Sequence, residues 1–422
     1  MPRLRAELPS RAYDVVVADG ALDGVGAAVA SLRPGVQAVV CTDENVAPLY
    51  LDRVHVALRE AGLLVSQLVV PAGEAEKNLD RAAEMYGVLY DRGIRRRDVV
   101  VALGGGVIGD LAGYVAATFL RGVGLVQVPT TLLAQVDAAI GGKVAVDFRS
   151  GKNYVGTFYQ PLLVVADPLA LRTLPPREVR SGAAEVVKYG FLAGGDLLDA
   201  VDALARAARG GKDESGGGRD GGGQGEGVGG RVSGGQGEGV GRDGGDALVC
   251  GIGEEVIAAC VAQKLAVVAR DEREETGARA VLNLGHTIGH AIEAATAFRR
   301  YTHGEAVGLG LRAALWLSER LCGLSGAEVE RGLGVLDDIG LPVRFRGARP
   351  DDVRDLVARD KKAGAGGVRG AEAGAGGVRG AGGEAAAGGV GFVLLEGFGR
   401  PRLHVDVPAV VLEEVIAWLS AE

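Results

Sequence analysis

Val99-Val-Val-Ala-Leu-Gly-Gly-Gly-Val-Ile-Gly-Asp110 is an apolar run that breaks into three glycines and then resumes. It reads as a strand that turns through Gly104-x-Gly106-x-x-Gly109 into a helix. In that turn the backbone N–H groups of Gly104, Gly105 and Gly106 face a pyrophosphate. The glycine pattern alone is weak, because many strand-to-helix corners use glycine merely to turn. Its surroundings strengthen it. Further apolar runs at Val36–Cys41, Leu63–Val70, Leu125–Val128 and Leu162–Ala166 alternate with amphipathic stretches such as Asn78–Arg92. Strand–helix alternation predicts a parallel sheet with nucleotide at the carboxyl ends of its strands. Asp43 follows the strand ending at Cys41, where a carboxylate suits the ribose hydroxyls of NAD. A helix N-cap is an equally good reading of Asp43.

From about Pro175 the texture changes to long alanine- and leucine-rich helical periods: Glu178–Phe191, Glu254–Ala269, Leu282–Ala297 and Glu305–Cys322. The expected fold is therefore an α/β N-terminal dinucleotide-binding domain with a parallel sheet, residues 1–174, followed by a mainly α-helical metal- and substrate-binding domain, residues 175–422. The cleft between the two halves is the expected active site. Three of the chain's five histidines, His286, His290 and His303, fall close together in this second half. With Glu185 they suggest a one-metal site of Glu185, His286 and His303. Two imidazoles and one carboxylate leave a coordination position open for a substrate oxygen. A satisfied core histidine is the rival reading of any lone one, but Asn283, Gly285 and Gly289 surround this pair with small or polar groups. Glu185 and Lys188 lie three apart on an otherwise apolar helix, so both charges are costly to bury without a role.

Composition sets outer limits. The chain has 422 residues, 47% hydrophobic and 24% charged, with a net charge of −8. That balance argues against nucleic acid as a partner. No apolar stretch has membrane-spanning length and no signal-peptide core precedes the first strand, so a cytoplasmic protein without a membrane partner is expected. Cys41, Cys250, Cys260 and Cys322 show no metal-knuckle spacing and read as thiols of a reducing compartment. Glycine is abundant, 71 residues, and most of the excess over average usage sits in two tracts at 209–246 and 363–390. These repeat Gly-Gly-Gln-Gly-Glu-Gly-Val-Gly and Ala-Gly-Ala-Gly-Gly-Val-Arg-Gly-Ala. They lack aromatics and mix charge signs, which favours low-complexity loop insertions over an RGG-like RNA-binding segment. Lysines flanked by glycines, Gly141-Gly-Lys143 and Gly151-Lys152-Asn153, suit close approach to phosphate or carboxylate. A lysine-bearing surface turn is the alternative. Asp137 and Arg121 nearby in sequence favour a polar-substrate pocket.

With these motifs assembled, the chain resembles the 3-dehydroquinate synthase family. The matching segments are Gly73-Glu74-x-x-Lys77, Leu103–Asp110, Gln127–Asp137, Gly141–Lys143, Gly151–Asn153, Thr173–Glu178, Ala184–Lys188, Asn283–His290, His303–Glu305 and Asp360-Lys361-Lys362. The resemblance implies cyclisation of the seven-carbon keto acid 3-deoxy-D-arabino-heptulosonate 7-phosphate to 3-dehydroquinate with release of phosphate. NAD is reduced and reoxidised within one turnover, and one Zn2+ or Co2+ ion polarises a hydroxyl. It assigns NAD to Asp43, Asn45, Glu74, Lys77, Gly105, Gly106, Asp110, Thr130, Thr131, Lys143, Lys152, Thr173, Leu174 and Glu178. It assigns substrate contacts to Arg121, Lys143, Asn153, Lys188, Lys264, Arg279, Asn283 and Lys361, with Arg279 and Lys264 at the carboxylate. Glu275 and His290 become the proton-handling pair, with Lys152 and Asp137 beside them. Residues 271–275 are one longer than the family pattern, so Glu274 is the alternative to Glu275. A homodimer is implied, with Arg121 reaching the phosphate across its interface. The rival readings are a sister cyclase of the deoxy-inosose or valiolone type, a metal-dependent polyol dehydrogenase, and an RGG-like binding protein built on a retired enzyme.

Overall fold

A computed structural model describes residues 3–149, 151–215, 248–249, 251–364 and 390–421. Seven of the described strands form one sheet in the order β1-β2-β9-β6-β5-β3-β4. These are β1 (Arg3–Ala6), β2 (Tyr13–Val17), β3 (Gln37–Asp43), β4 (Leu64–Val70), β5 (Val99–Gly104), β6 (Gly124–Pro129) and β9 (Leu163–Ala166). Only β1 runs antiparallel; every other pairing in this sheet is parallel. Parallel strands need crossovers, which cover both faces. Accordingly β5 is buried along its whole length, as its unbroken valine run predicts. Helices α1 (Ala21–Leu32), α2 (Asp52–Glu60), α3 (Leu79–Asp91) and α4 (Gly106–Thr118) supply that cover.

The chain leaves β3 toward β4 on one side, whereas it leaves β5 toward β6 on the other. Strand order therefore reverses between β3 and β5. That crevice, at the carboxyl ends of the strands, is where open α/β sheets take ligands. Asp43 ends β3 and Gly104 ends β5, so both nucleotide motifs meet at the switch point.

After the sheet come α5 (Pro176–Ala193), α6 (Gly195–Ser215), α7 (Glu254–Val268), α8 (His286–Ala295), α9 (His303–Cys322), α10 (Gly326–Ile339), α11 (Pro350–Gly364) and α12 (Ala409–Leu419). Their core is continuous with one face of the sheet: Val15, Val164 and Ala166 pack in one cluster with Val187, Ile288 and Leu311. No helix among the described residues is long and apolar enough to cross a membrane.

Four details differ from the sequence reading. The helix expected over Leu282–Ala297 is broken: Ala278–Asn283 is a 3-10 turn and α8 begins only at His286. The cause is Gly285, held at φ 80°, where a Cβ would lie 2.9 Å from the Leu311 nitrogen. Lys143, Lys152 and Asn153 do not sit in strand-end turns. They belong to an antiparallel hairpin of β7 (Lys143–Phe148) and β8 (Gly151–Phe158). The helical half also carries a hairpin, β10 (Val390–Gly397) with β11 (Arg400–Val407). Finally, α6 runs to Ser215, so the first glycine tract opens inside a helix; its remainder from 216 to 247, and 365–389 of the second tract, lie outside the described residues.

Glycine sets how closely α5, α8 and α9 approach. A Cβ on Gly304 would stand 1.8 Å from the Ser181 carbonyl oxygen, and one on Gly310 would stand 1.7 Å from that of Gly285. Neither neighbour is a flexible side-chain end, so any added methyl must push backbone apart. Gly334 on α10 has nothing within 4 Å of its hypothetical Cβ. Gly310→Ala should therefore destabilise the metal-free protein by about 1–3 kcal/mol or more, while Gly334→Ala should stabilise it by roughly 0.5–1 kcal/mol. Denaturant unfolding of both variants checks this; equal effects would mean that the helix contact is not tight.

Candidate active site

The carboxyl ends of the strands gather the nucleotide residues. Asp43 Oδ1 accepts from the backbone N–H of Asn45 at 2.9 Å and Val46 at 3.0 Å. This oxygen thus ties down the turn after β3 and does not cap a helix, since the N-cap of the next helical turn, Ala47–Leu51, is Val46. Gly105 is the N-cap of α4 and supplies no side-chain cap. The first N–H groups of α4 therefore point at the crevice without an intrahelical acceptor, which suits an anion. Gly104 itself belongs to β5. Close packing explains these glycines: a Cβ on Gly104 would meet Ile108 Cβ at 2.8 Å, and one on Gly105 would meet Thr131 Cγ2 at 2.9 Å. Thr130 donates its N–H to the Gly104 carbonyl at 3.0 Å. Thr131 Oγ1 accepts from Ala134 N–H at 3.2 Å. Thr173 Oγ1 lies 2.6 Å from the Tyr50 hydroxyl, with Leu174 beyond it. Glu178 sits in the first turn of α5, where burial pushes its carboxyl upward.

Lys77 is the hub of the next group. Its buried ammonium lies 3.3 Å from Glu74, 3.2 Å from Asp110 and 2.5 Å from Asn153 Oδ1. Burial pulls this ammonium down, but Asp110 and Glu74 outweigh it and raise it. Asp110 is pushed up to about 6 by burial, against the opposing charge of Lys77. Lys152 Nζ is 3.4 Å from Glu74 and 4.0 Å from Glu293. The hairpin thus spans from the nucleotide residues to the helical half.

The metal candidates converge. His286 begins α8 and His303 begins α9, which a Thr302–Glu305 capping box fixes in place. The Nε2 atoms of His286 and His303 lie 3.5 Å and 3.6 Å from the same oxygen, Glu185 Oε1. Each Nδ1 has its own acceptor: the Leu284 carbonyl at 3.2 Å for His286 and Glu293 Oε2 at 3.3 Å for His303. Metal-ligating histidines show this arrangement, one nitrogen held and the other aimed at the ion. Glu185 is fully buried; Lys188 compensates its Oε2, while Oε1 faces only the two imidazole nitrogens. A buried carboxylate oxygen aimed at two ring nitrogens suits a shared cation, so these residues fit a divalent metal. His290 joins them, its ring 5.2 Å from His286 and 5.8 Å from His303. Burial pushes His286 down to about 3. For His303 burial also opposes the charge, but Glu185 and Glu293 outweigh it and lift the ring to about 9.

Below this set lies a charged cluster. Lys188 forms an ion pair with Glu185 Oε2 and lies 3.9 Å from Asp137 Oδ1. Lys264 Nζ is 3.0 Å from Asp137 Oδ1 and donates to the Asp137 carbonyl at 2.7 Å. The Tyr189 hydroxyl donates to the same carboxylate. Asp137 sits on a one-turn π-helix, Ala134–Ala138, a distortion common at functional sites. Burial raises its carboxyl, but Lys264 and then Lys188 hold it well below the usual range. Lys264, expected at a substrate carboxylate beside Arg279, has Asp137 as its anionic partner in the structure.

Arg279 is buried, and its Nε has no hydrogen-bond partner. The nearest carboxylate is Glu274 Oε1 at 3.6 Å, which also pairs with Lys143. Glu274, not Glu275, thus faces these cations. The positive φ of 57° at Glu274 turns the chain there, and the Glu275 N–H is tied to Asp271 Oδ1 at 2.8 Å. Asn283 ends the 3-10 turn ahead of His286 and is exposed. Lys361 lies near the end of α11. Arg121 is not brought to these residues. It precedes β6, at the amino edge of the sheet, about 20 Å along the strand from Thr130 at ~3.3 Å per residue. Sequence reasoning missed Glu293 and Tyr189. Glu293 stands seven residues after His286, two turns along the same helix face, and that spacing was the available signal.

The chain is similar to known proteins. The model of the 3-dehydroquinate synthase N-terminal family matches residues 67–181, and that of the C-terminal family matches 247–363. The chain is 39% identical to 3-dehydroquinate synthase of Desulforamulus reducens over 86% of this chain and 90% of that protein. It is 38% identical to the Gloeobacter violaceus 3-dehydroquinate synthase over 99% of each. Among solved structures, it is similar to 2-epi-5-epi-valiolone synthase from Streptomyces hygroscopicus subsp. jinggangensis with NAD+ and Zn2+ bound. That match has a TM-score of 0.74 and 25% identity, and covers 98% of each chain.

The two histidine shifts make metal loading proton-linked. With its folded value raised to about 9, His303 carries a proton at pH 7 in the metal-free protein and must lose it to bind an ion. His286, pushed down to about 3, is already neutral. Calorimetry in buffers of different ionisation enthalpy should show about one proton released per Zn2+ at pH 7. Apparent affinity should rise about tenfold per pH unit and level off above roughly pH 9. The protonated His303 stabilises the metal-free fold fully below its ordinary value of 6.5, and that contribution is lost as pH rises through about 9. Affinity that is flat between pH 7 and 9 would contradict the His303 shift.

Proposed function

The chain belongs to the 3-dehydroquinate synthase family, and we propose how its residues serve that enzyme's reaction. The enzyme converts 3-deoxy-D-arabino-heptulosonate 7-phosphate to 3-dehydroquinate and phosphate, a step of aromatic amino acid biosynthesis by the shikimate pathway. It depends on NAD and one divalent metal ion, Zn2+ or Co2+. The observation that carries the residue assignment is the convergence of both histidine Nε2 atoms on the buried Glu185 Oε1, on helices that pack against the nucleotide sheet.

NAD, when bound, supplies a reversible hydride acceptor at the β3–β5 crevice. A metal ion held by Glu185, His286 and His303 supplies Lewis acidity toward a substrate hydroxyl. The protein's own groups do the rest. Lys152 and Asn153, on the hairpin opposite Glu293, present a cation and an amide to the substrate phosphate. Arg279, with its unpartnered Nε, takes the substrate carboxylate in place of Glu274. Asp137 stays ionised between Lys188 and Lys264 and accepts from a substrate hydroxyl. His290 borders the metal set and is placed to move a proton there, with Glu274 in the position expected of Glu275. Enclosure of these charges fixes the substrate's reacting atoms and keeps water out.

Arg121 lies at the amino ends of the strands, opposite the crevice, so it reaches a substrate only in a neighbouring subunit. The reading therefore includes a homodimer. It also places the enzyme in the cytoplasm, consistent with free, buried thiols at Cys41 and Cys260.

Phosphate release from the heptulosonate phosphate, with NAD and Zn2+, is the test. EDTA should abolish it, and no net NADH should accumulate. Arg279→Gln should lower kcat/KM by roughly 10–100-fold, the loss of a charge-assisted hydrogen bond. Steady NADH accumulation, or turnover only of carboxylate-free sugar phosphates with Arg279→Gln unaffected, would overturn the residue roles.

A further inference from the structure

Glu293 is the buried carboxylate that neither the metal set nor the substrate contacts require. It is 4% exposed, on an otherwise apolar stretch of α8. Its two oxygens face different partners. Oε2 lies 3.3 Å from His303 Nδ1, while Oε1 faces the Lys152 ammonium at 4.0 Å. His303 Nε2, on the other side of the ring, points to Glu185 Oε1 at 3.6 Å. The imidazole is thus suspended between two carboxylates, one from each of its nitrogens.

We infer that Glu293 is a positioning residue for the metal centre. It accepts the Nδ1 proton of His303 and so fixes the tautomer whose Nε2 lone pair faces the ion. The inference rests on the reading of Glu185, His286 and His303 as metal ligands. The contrast with His286 supports it. That ring gets the same service from a backbone carbonyl, Leu284 O at 3.2 Å, because Gly285 turns the chain back beneath it. His303 opens its own helix, and the capping box there engages Thr302 and Glu305 with each other. Its Nδ1 is instead served from the neighbouring helix by Glu293. A carboxylate in this position also makes the ring a stronger donor than a carbonyl does. Through Oε1 the same residue ties the ligand to Lys152 on the β7–β8 hairpin. The hairpin that bears substrate-binding groups is thereby held in register with the metal. A purely structural buried charge would need partners for stability, but would not need to meet a ligand histidine on the nitrogen facing away from the ion.

The test is metal binding by the full chain, without substrate or NAD. Zn2+ affinity is measured by competition with a chromophoric chelator for the parent, Glu293→Gln and Glu185→Gln. Glu293→Gln should still fold when metal-free, at a lower unfolding temperature because the pairing with protonated His303 is lost, and should bind Zn2+ about 10–100-fold more weakly. Glu185→Gln should lose at least as much. Unchanged affinity in Glu293→Gln, beside a loss in Glu185→Gln, would overturn the inference and leave the ligand set standing. Unchanged affinity in both would overturn the ligand set itself. Imidazole nitrogen NMR of the unaltered chain decides the matter should Glu293→Gln fail to fold. With Zn2+ bound, His303 should carry its proton on Nδ1; a proton on Nε2 would overturn the inference.

Discussion

Glu185 is a carboxylate with no exposed surface, and the rest of the helical half is arranged around making that tolerable. Burying an uncompensated charge costs several kcal/mol or more. Compensation must come from groups that reach it through protein. Lys188 does so from the same helix one turn on, and the two histidines do so from α8 and α9. For α8 and α9 to bring their first residues to one oxygen in the middle of α5, the three helices must pack nearly backbone to backbone. Gly304 against Ser181 and Gly310 against Gly285 allow it. Those contacts are also why His303 can sit at a helix start with its ring turned inward. Side chains of any size at these glycines would hold the ligands apart.

From Glu185 outward, the charges form one continuous chain. Lys188 leads to Asp137, and Asp137 to Lys264 and Tyr189. On the other side His303 leads to Glu293, Lys152, Glu74, Lys77 and Asp110. The second path crosses the cleft from helices to sheet. Each member is costly to bury alone and is stabilised by its neighbours, so the groups are fixed before a substrate arrives. Such preorganisation is what lets polar groups stabilise charge that develops in a reaction without first reorienting. It also explains why Asp110 and Asp137 diverge. Asp110 has one partner against its burial and stays high, while two ammonium groups hold Asp137 low.

Much of this was legible in the sequence, and the misses share a cause. The valine run of β5, the glycine turn and the helical periods marked the sheet and the second half, because hydrophobic periodicity reports burial directly. The metal set was legible because histidine is rare in this chain. Gly285 was read as part of a helix, since its need for a positive φ comes from contact with Leu311, a residue far along the chain. The β7–β8 hairpin was read as turns because its strands are short and glycine-flanked. Glu293 gave no local signal beyond its spacing from His286, because its partners His303 and Lys152 come from α9 and the β7–β8 hairpin. Glu274 rather than Glu275 faces Lys143 and Arg279 because a left-handed residue redirects the loop. In each case a long-range contact decided what local pattern left open.

The first glycine tract begins within the last turns of α6 and the second at the end of α11. None of the metal ligands, and no residue of the strand-end crevice, lies in either tract. The proposed ligands Glu185, His286 and His303 sit on α5, α8 and α9, outside both tracts. A loop's closure cost grows only with the logarithm of its length, about 0.6 kcal/mol per doubling. Insertions between elements therefore leave ligand geometry untouched as long as the flanking helices stay docked. The flanks are anchored here: Arg331 on α10 pairs with Asp199 and Asp202 on α6, and Val353 and Val357 on α11 are buried in the same core as Ile288 and Leu311. Lys361 is the one assigned residue beside a tract. Its position depends on the last turn of α11, so the site is least protected from insertion there and best protected at Glu185.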